Sequence, residues 1–359
     1  MESSIYSVIT GTGSYIPPKR VTNDDFITNT FYGSNGIPLA DGNHSIVEKF
    51  LDITTIEERR YVNEELSTSE MAFHASLRAI ESAGIDKEEL DYIIVAHNFG
   101  EVTASGYVDT VPSVAARLKH KLQIKNPDAV AYDLIFGCPG WVQALIQANY
   151  YIKSGDASKI LVVGADVLSR VSDPHDRDSM IYADGAGAVV VEAKRSATPI
   201  GIVAHKTRTD SFIYSGMLTM GASYNPDLAA EQGIYIKMNG RRLYQYALDT
   251  VAPAIKYCLE KSGTCIDDVK KIFIHQANGK MDDAILKRLY DLYGIDEAPV
   301  EVMPMTIAKL GNSSVATIPT LFDFVLREKM NGHRIGQNDT IVFASVGAGM
   351  SINAVVYKM

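Results

Sequence analysis

Residues 76–100 read SLRAIESAGIDKEELDYIIVAHNFG, and residues 252–279 read APAIKYCLEKSGTCIDDVKKIFIHQANG. Each passes through a helix-patterned apolar stripe, a Gly turn, an acidic linker and a short apolar strand. One ends His-Asn-Phe-Gly and the other His-Gln-Ala-Asn-Gly, with His97 and His275 lying 178 positions apart (275 − 97). A second pair, KILVVGADVLS from Lys159 and DTIVFASVGAG from Asp339, is 180 apart (339 − 159). Two independent matches at nearly one offset argue for a duplicated half. The halves meet near residue 195, giving an N-terminal half of 1–195 and a C-terminal half of 196–359.

Within each half, runs such as YIIVA, ILVVG and AVVVE are short, unbroken, apolar and mostly β-branched, the mark of strands buried on both faces. Amphipathic helices, expected over 69–83 and 241–261, separate them. The fold class is layered α/β: two sheets sandwich helices, and short turns gather functional groups at strand ends. The stretch TNTFYGSNGIPLADGNH (28–44), rich in Gly, Asn and Pro, breaks this pattern and reads as a surface loop or flap.

Composition bounds the function. The 359 residues are 46% hydrophobic and 21% charged, as in an ordinary globular protein. No window approaches the roughly 18 consecutive apolar residues of a membrane helix, and the opening MESSIYSVITGTG lacks a basic leader, so the expected compartment is the cytoplasm. A formal charge of −9 disfavours nucleic acid and any acidic partner lacking a local basic patch to dock on. Cys138, Cys258 and Cys265 form no C-x-x-C pair, so no disulfide framework and no metal site is signalled. Cys258 lies on an apolar helical stripe and Cys265 after a turn; both read as structural.

Cys138 differs. In DLIFGCPGWVQAL (133–145) it stands between an apolar run and Pro139, a residue suited to the first helical position because it has no amide hydrogen to leave unpaired. The helix should end at Gly155. A thiol at a helix N-terminus feels the positive end of the peptide dipoles, which is expected to bring its pKa of about 8.5 towards neutrality. An acyl-accepting thiolate needs a proton-handling partner and a place for the oxyanion. His275, at the end of the strand KIFI, is the first candidate, although a histidine there is often purely structural. Asn312, in LGNSSVATIP, is a second polar group or else a helix cap. The Gly-Ala-Gly turn of SVGAGMS (345–351) offers backbone amides that little side chain obstructs.

The motifs DLIFGCPGWVQAL, YADGAGAVVVE, IHQANGKM, LGNSSVATIPT and SVGAGMSINAVV, with the opening ITGTGSYIPPKRVTN, resemble in order and spacing the β-ketoacyl-acyl-carrier-protein synthase III family. The resemblance spans essentially the whole chain. It implies the thiolase fold, two similar halves in a five-layered α-β-α-β-α sandwich. It further implies an acyltransferase of fatty-acid or specialised lipid synthesis, working by decarboxylative Claisen condensation of an acyl thioester with malonyl-acyl carrier protein. On that basis Cys138 is the acyl-accepting nucleophile, and His275 and Asn312 polarise the malonyl thioester. The amide of Cys138 and one from Gly347, Ala348 or Gly349, Ala348 foremost, form the oxyanion hole.

The resemblance also implies coenzyme A or phosphopantetheine thioesters as substrates with no cofactor, Arg177 as an adenine contact and Asn278 as a pantetheine contact. It makes Lys280 a substrate contact and, with Lys287 and Arg288, a patch for docking acyl carrier protein, since the three recur at i, i+7 and i+8 of one helix. Arg241 and Arg242 are weaker additions. A homodimer is expected.

Two departures bear on the substrate. Where relatives have a tryptophan and an arginine that bind coenzyme A, EKFLDITTIEER places Lys49 and Ile53, and the only tryptophan, Trp141, lies elsewhere. Val111 replaces a bulkier pocket-shaping residue, which would admit a longer acyl chain. Glu101, in HNFGEV, would suit a paralogous condensing enzyme without decarboxylation, which would use it as base. The same thiol and histidine would also serve an acyltransferase of secondary metabolism or a cysteine hydrolase, and the same fold a non-catalytic partner subunit.

Overall fold

The computed structural model describes residues 3–228 and 234–359. Its first sheet comprises β1 (Ser4–Tyr15), β2 (Tyr92–His97), β3 (Val130–Ile135), β4 (Lys159–Val167) and β5 (Asp184–Ser196), ordered β1-β5-β4-β2-β3. The second comprises β6 (Gly201–Thr209), β7 (Val269–Ile274), β8 (Thr340–Gly347) and β9 (Ser351–Lys358), ordered β6-β9-β8-β7. From β1 and from β6 onward, the pairings run antiparallel, antiparallel, parallel in both sheets. The repeat legible in the sequence is therefore a repeat of strand order: β2 corresponds to β7 and β4 to β8. Beyond β7, where the first sheet has β3, the Ile272 amide donates to the Val302 carbonyl of an irregular segment (2.8 Å).

Side-chain alternation builds the layers, because successive residues of a strand point to opposite faces. Ile93 and Val95 of β2 share a core with Met71, Ala75 and Ala79 of α2 (Thr68–Ala83) and Leu118 of α3 (Val114–Lys121). Ile94 and Ala96, one residue out of phase, join a different core with Trp141 and Leu145 of α4 (Gly140–Ser154) and Leu321 and Phe322 of α7 (Thr317–Leu326). Ile341 and Phe343 of β8 enter that middle core from the other side. Val342 and Ala344 instead join Ile255 and Leu259 of α5 (Gly240–Ser262) and Ile285 and Leu289 of α6 (Gly279–Asp291). Helices, sheet, helices, sheet, helices is the five-layered thiolase arrangement.

The middle layer is the one the site depends on. Phe322 meets Phe343 edge to face with ring centres 5.1 Å apart, and Trp141 meets Phe343 likewise at 5.6 Å. α4 buries a broad face carrying Trp141, Val142, Leu145, Ile146 and Ile152 between the sheets, while Tyr150 stays exposed. It begins at Gly140, with Pro139 as its cap (φ −69°, ψ −1°), one residue later than expected, and ends at Gly155 in the left-handed conformation. α2 and α5 match the expected helices to within a residue. Cys258 is core, as expected, whereas Cys265 is exposed.

The 28–44 segment is irregular to residue 42, where α1 (Asn43–Thr54) takes over. It is nonetheless anchored: Phe31 is buried, and the Tyr32 amide donates to the His175 carbonyl (2.9 Å). Among the described residues no helix is long and apolar enough to cross a membrane.

Candidate active site

Three segments converge between the sheets. After β3 the chain turns through Gly137 (φ 68°) and places Cys138 just before α4. A Cβ on Gly137 would lie 2.8 Å from the Ala348 nitrogen, and one on Gly347 would lie 2.7 Å from the Cys138 nitrogen. The end of β8 and the cysteine turn thus touch backbone to backbone, which only glycine permits. Asn353 of β9 pins the same turn, its Nδ2 donating to the Pro139 carbonyl (2.9 Å).

His275 directly follows β7, its amide bonded to the Ala344 carbonyl of β8 (2.9 Å). Asn312 sits in the loop before α7. Its amide donates to the Ile181 carbonyl (3.0 Å), and its carbonyl accepts from Ala183 (2.8 Å). Its side-chain Oδ1 accepts the Ser314 amide (2.8 Å), which leaves Nδ2 as the donating end. Cys138, His275 and Asn312 line a single cavity of about 440 Å³.

Electrostatics correct one expectation. Burial pushes the Cys138 thiol up to about 11 and the charge of Asp166 adds to this, while the Ser314 hydroxyl and the cysteine's own amide oppose it. A helix end is worth roughly 0.3–2 kcal/mol to an anion. Transfer into a low-dielectric interior can shift a pKa by up to about 3–5 units the other way. At the partly exposed Cys138 the burial effect outweighs the helix end and favours the thiol over the thiolate. Burial likewise pushes His275 down to about 4, the adjacent Ser314 main chain opposing it, so the imidazole is neutral. Nδ1 of His275 is buried with no partner among the described residues.

The other expected residues divide. Arg177 and Asn278 line the cavity, and Asn278 also caps α6, its Oδ1 accepting from Met281 (3.1 Å). Gly347 lines it as well, beside Cys138, with the Ala348 nitrogen against Gly137. Lys280, Lys287 and Arg288 are exposed on α6. Lys287 is paired with Asp291 (2.8 Å), however, so the basic patch is weaker than the spacing suggests. Of the two arginines at the start of α5, Arg241 lines the cavity, whereas Arg242 faces a separate shallow depression with Arg208 and Asp249.

Lys49 and Ile53 are both at the cavity, where Asp41 of the 28–44 segment pairs with Lys49 (2.8 Å). Val111 is 80% exposed and lies outside the cavity of the single chain. Glu101, the base in the alternative reading without decarboxylation, is buried at the start of α2, accepting the Ser69 amide and hydroxyl (2.8 Å each). It does not line the cavity. The groups gathered there need no such base: thiol, imidazole and Asn312 amide are all uncharged at neutral pH, which suits stabilising a negative charge that appears only during reaction.

Sequence reading missed two groups at the cavity. Asp178 lines it, with burial and then Asp176 pushing its carboxyl up to about 6, and Tyr182 bridges to Asn312 through the backbone. A third, Ser314, contacts the sulfur itself: its hydroxyl donates to Cys138 Sγ (3.3 Å).

Residues 132–211 match the family described as 3-oxoacyl-[acyl-carrier-protein (ACP)] synthase III, and residues 259–359 match its C-terminal family. The chain is 31% identical to the β-ketoacyl-[acyl-carrier-protein] synthase III of Ehrlichia ruminantium over 98% of its length and 99% of the relative's. It is 32% identical to the synthase III 1 of Vibrio parahaemolyticus over 99% of its length and all of that protein. Among solved structures, the 3-oxoacyl-[acyl-carrier-protein] synthase III of Aquifex aeolicus is similar with a TM-score of 0.79 at 30% identity, covering 98% of this chain and 100% of that one. The priming β-ketosynthase of the R1128 polyketide pathway is similar with a TM-score of 0.80 at 27% identity, covering 100% and 97%.

Proposed function

The chain belongs to the 3-oxoacyl-[acyl-carrier-protein] synthase III family and is an acyl-transferring condensing enzyme, and we propose that Cys138, His275 and Asn312 carry its chemistry. Cys138 attacks an acyl thioester. Its proton passes to the neutral His275 as the carbon–sulfur bond forms, and the carrier thiol leaves with a proton, giving an acyl-enzyme. A malonyl thioester then enters. Hydrogen bonds from His275 and the Asn312 Nδ2 meet its carbonyl oxygen, carbon dioxide departs, and the enolate attacks the acyl carbon, so that the new carbon–carbon bond forms as the bond to Cys138 Sγ breaks and the released thiolate takes up a proton from water. The backbone amides of Cys138 and Ala348 receive the oxyanion of each tetrahedral intermediate.

The observation that carries this reading is that three groups from separate elements of both halves line one cavity. Incubation with a panel of acyl-coenzyme A and acyl-carrier thioesters plus malonyl carrier tests it by mass spectrometry. The expected result is an acyl mass on the Cys138 peptide and a lengthened product. Acyl mass on another residue, or free acid alone as from a hydrolase, overturns it.

Arg177 and Asn278 support a phosphopantetheine arm in the cavity, and Lys280 and Arg288 an acidic carrier protein outside it. The protein works in the cytoplasm, where such thioesters are found. A homodimer is favoured by the free edge of β3, which exposes Val130 and Ile135, and by the exposed Tyr107 and Val111 in the chain leading to α3. An uncovered apolar sheet edge is a ready pairing surface. Sedimentation of Ile135→Lys as a monomer is the expected check.

A further inference from the structure

We propose that Ser314 is a positioning residue for the nucleophile, holding the Cys138 sulfur by a hydroxyl that Asn98 and Asp166 keep in place beside it. The inference rests on Cys138 being the nucleophile. A hydroxyl has one proton to give and lone pairs to receive. The Asn98 Nδ2 donates to Ser314 Oγ (2.8 Å) and, with its other proton, to Asp166 Oδ2 (2.6 Å). The Asn98 backbone amide takes Asp166 Oδ1 (2.8 Å). With a carboxylate oxygen and a hydroxyl oxygen both facing it, the Asn98 amide group cannot turn over without opposing oxygen to oxygen. Asp166, 1% exposed, is a competing acceptor within reach of the Ser314 hydroxyl, and each of its oxygens already receives an Asn98 donor. Because Asn98 donates to Ser314 Oγ, the hydroxyl acts as a donor in turn, and Cys138 Sγ lies 3.3 Å from it.

The backbone points the same way. Ser314 has φ 53°, the left-handed region that a residue with a Cβ seldom adopts. That conformation lets one residue serve two partners, its amide on Asn312 Oδ1 (2.8 Å) and its hydroxyl on the sulfur. The group also spans the duplication: Asn98 follows β2, Asp166 lies on β4, and Ser314 precedes α7.

In the reaction Ser314 keeps its proton. As the thiol proton goes to His275, negative charge grows on sulfur, and a hydrogen bond to a charged acceptor is stronger than one to a neutral acceptor. Once sulfur is acylated it is a poor acceptor and the contact loosens. The Ser314 hydroxyl therefore acts in acyl transfer to the enzyme and not in the later decarboxylation, where only its backbone amide serves, through Asn312.

The test is the pH profile of iodoacetamide alkylation at Cys138, followed by peptide mass spectrometry, alongside single-turnover acylation and malonyl decarboxylation by pre-acylated enzyme. Besides Ser314, the titratable groups facing the sulfur are Asp166 from β4, His275 after β7 and Tyr182 before β5. Ser314→Ala keeps the amide that holds Asn312. It is expected to slow alkylation near pH 8 and acylation by about 3- to 10-fold, to shift the profile to higher pH, and to leave decarboxylation unchanged. Ser314→Thr, which restores a hydroxyl, should recover most of the loss, and Asn98→Ala should show a smaller loss of the same kind. Superimposable profiles for wild type and Ser314→Ala, or an equal loss of decarboxylation, overturn the proposal. Alkylation reads the sulfur alone, so this outcome is separate from whether the enzyme condenses malonyl thioesters.

Discussion

His97 and His275 occupy the same place in the repeated unit, the C-terminal end of a parallel strand, yet their surroundings differ. His97 has both ring nitrogens engaged: Nε2 with Asp133 (2.8 Å), and Nδ1 accepting the Gly100 amide (2.9 Å). Asp133 in turn receives the Val114 and Ala115 amides at the start of α3 (2.8 and 2.7 Å). His275 has no such partner at Nδ1 among the described residues and lies on the cavity with Cys138. One strand end fastens a helix, and the other opens on the cavity. What separates them is not the strand but which side chains the following loop supplies.

The strongest way to break the comparison is to exchange effects. His275→Ala should lower condensation by about 10²–10³-fold with little change in melting temperature, since removing one pre-organised donor costs that much. His97→Ala should leave turnover within a few-fold yet lower the melting temperature by stranding Asp133. Comparable activity losses in both would erase the distinction. Asn312→Ala comes next, at about 10²-fold in decarboxylation, with acyl-enzyme formation seen by mass spectrometry largely retained.

Acidity sharpens the contrast. With His275 held near 4, decarboxylation by pre-acylated enzyme should stay flat from pH 8 to about 5, whereas acylation of Cys138 should climb as pH rises towards the thiol's value of about 11. The histidine is also a stability term. Its pKa in the folded protein lies below the ordinary 6.5, so its contribution is fully present above 6.5 and is lost as pH falls through about 4. A His275→Gln variant should show a shallower acid loss in denaturant titrations. The smallest effect is expected for Glu101→Ala, which should cost about 1–3 kcal/mol of stability through the start of α2 and nothing in turnover. A turnover defect would return Glu101 to the chemistry.

The duplication, the strand runs and the helix after Cys138 were legible because apolar periodicity and Gly turns are local signals. His275 and Asn312 could be picked out because each ends or follows a recognisable element. What the sequence hid was longer in range. Glu101 looked like a solvated residue or a base because the Ser69 amide it serves lies 32 positions away and becomes a neighbour only when α2 packs on the sheet. Asn98 and Asp166 lie within the repeated stretches but nothing local gives them a role, and Ser314 is one of two adjacent serines. Nothing short of the fold says which faces sulfur. The raised thiol has the same cause: helix position is local, whereas burial depends on the second sheet closing over it.

The middle layer has one more consequence. α4 comes from the first half and α7 from the second, and both sheets press their inner faces on this shared filling. Cleavage between Ser196 and Gly201, where β5 gives way to β6, would therefore yield two fragments, each stripped of half its interior and each holding only part of the catalytic set. Neither piece should stay dissolved by itself, and mixing them during synthesis should restore turnover. The repeated strand order thus leaves neither sheet able to stand without the other.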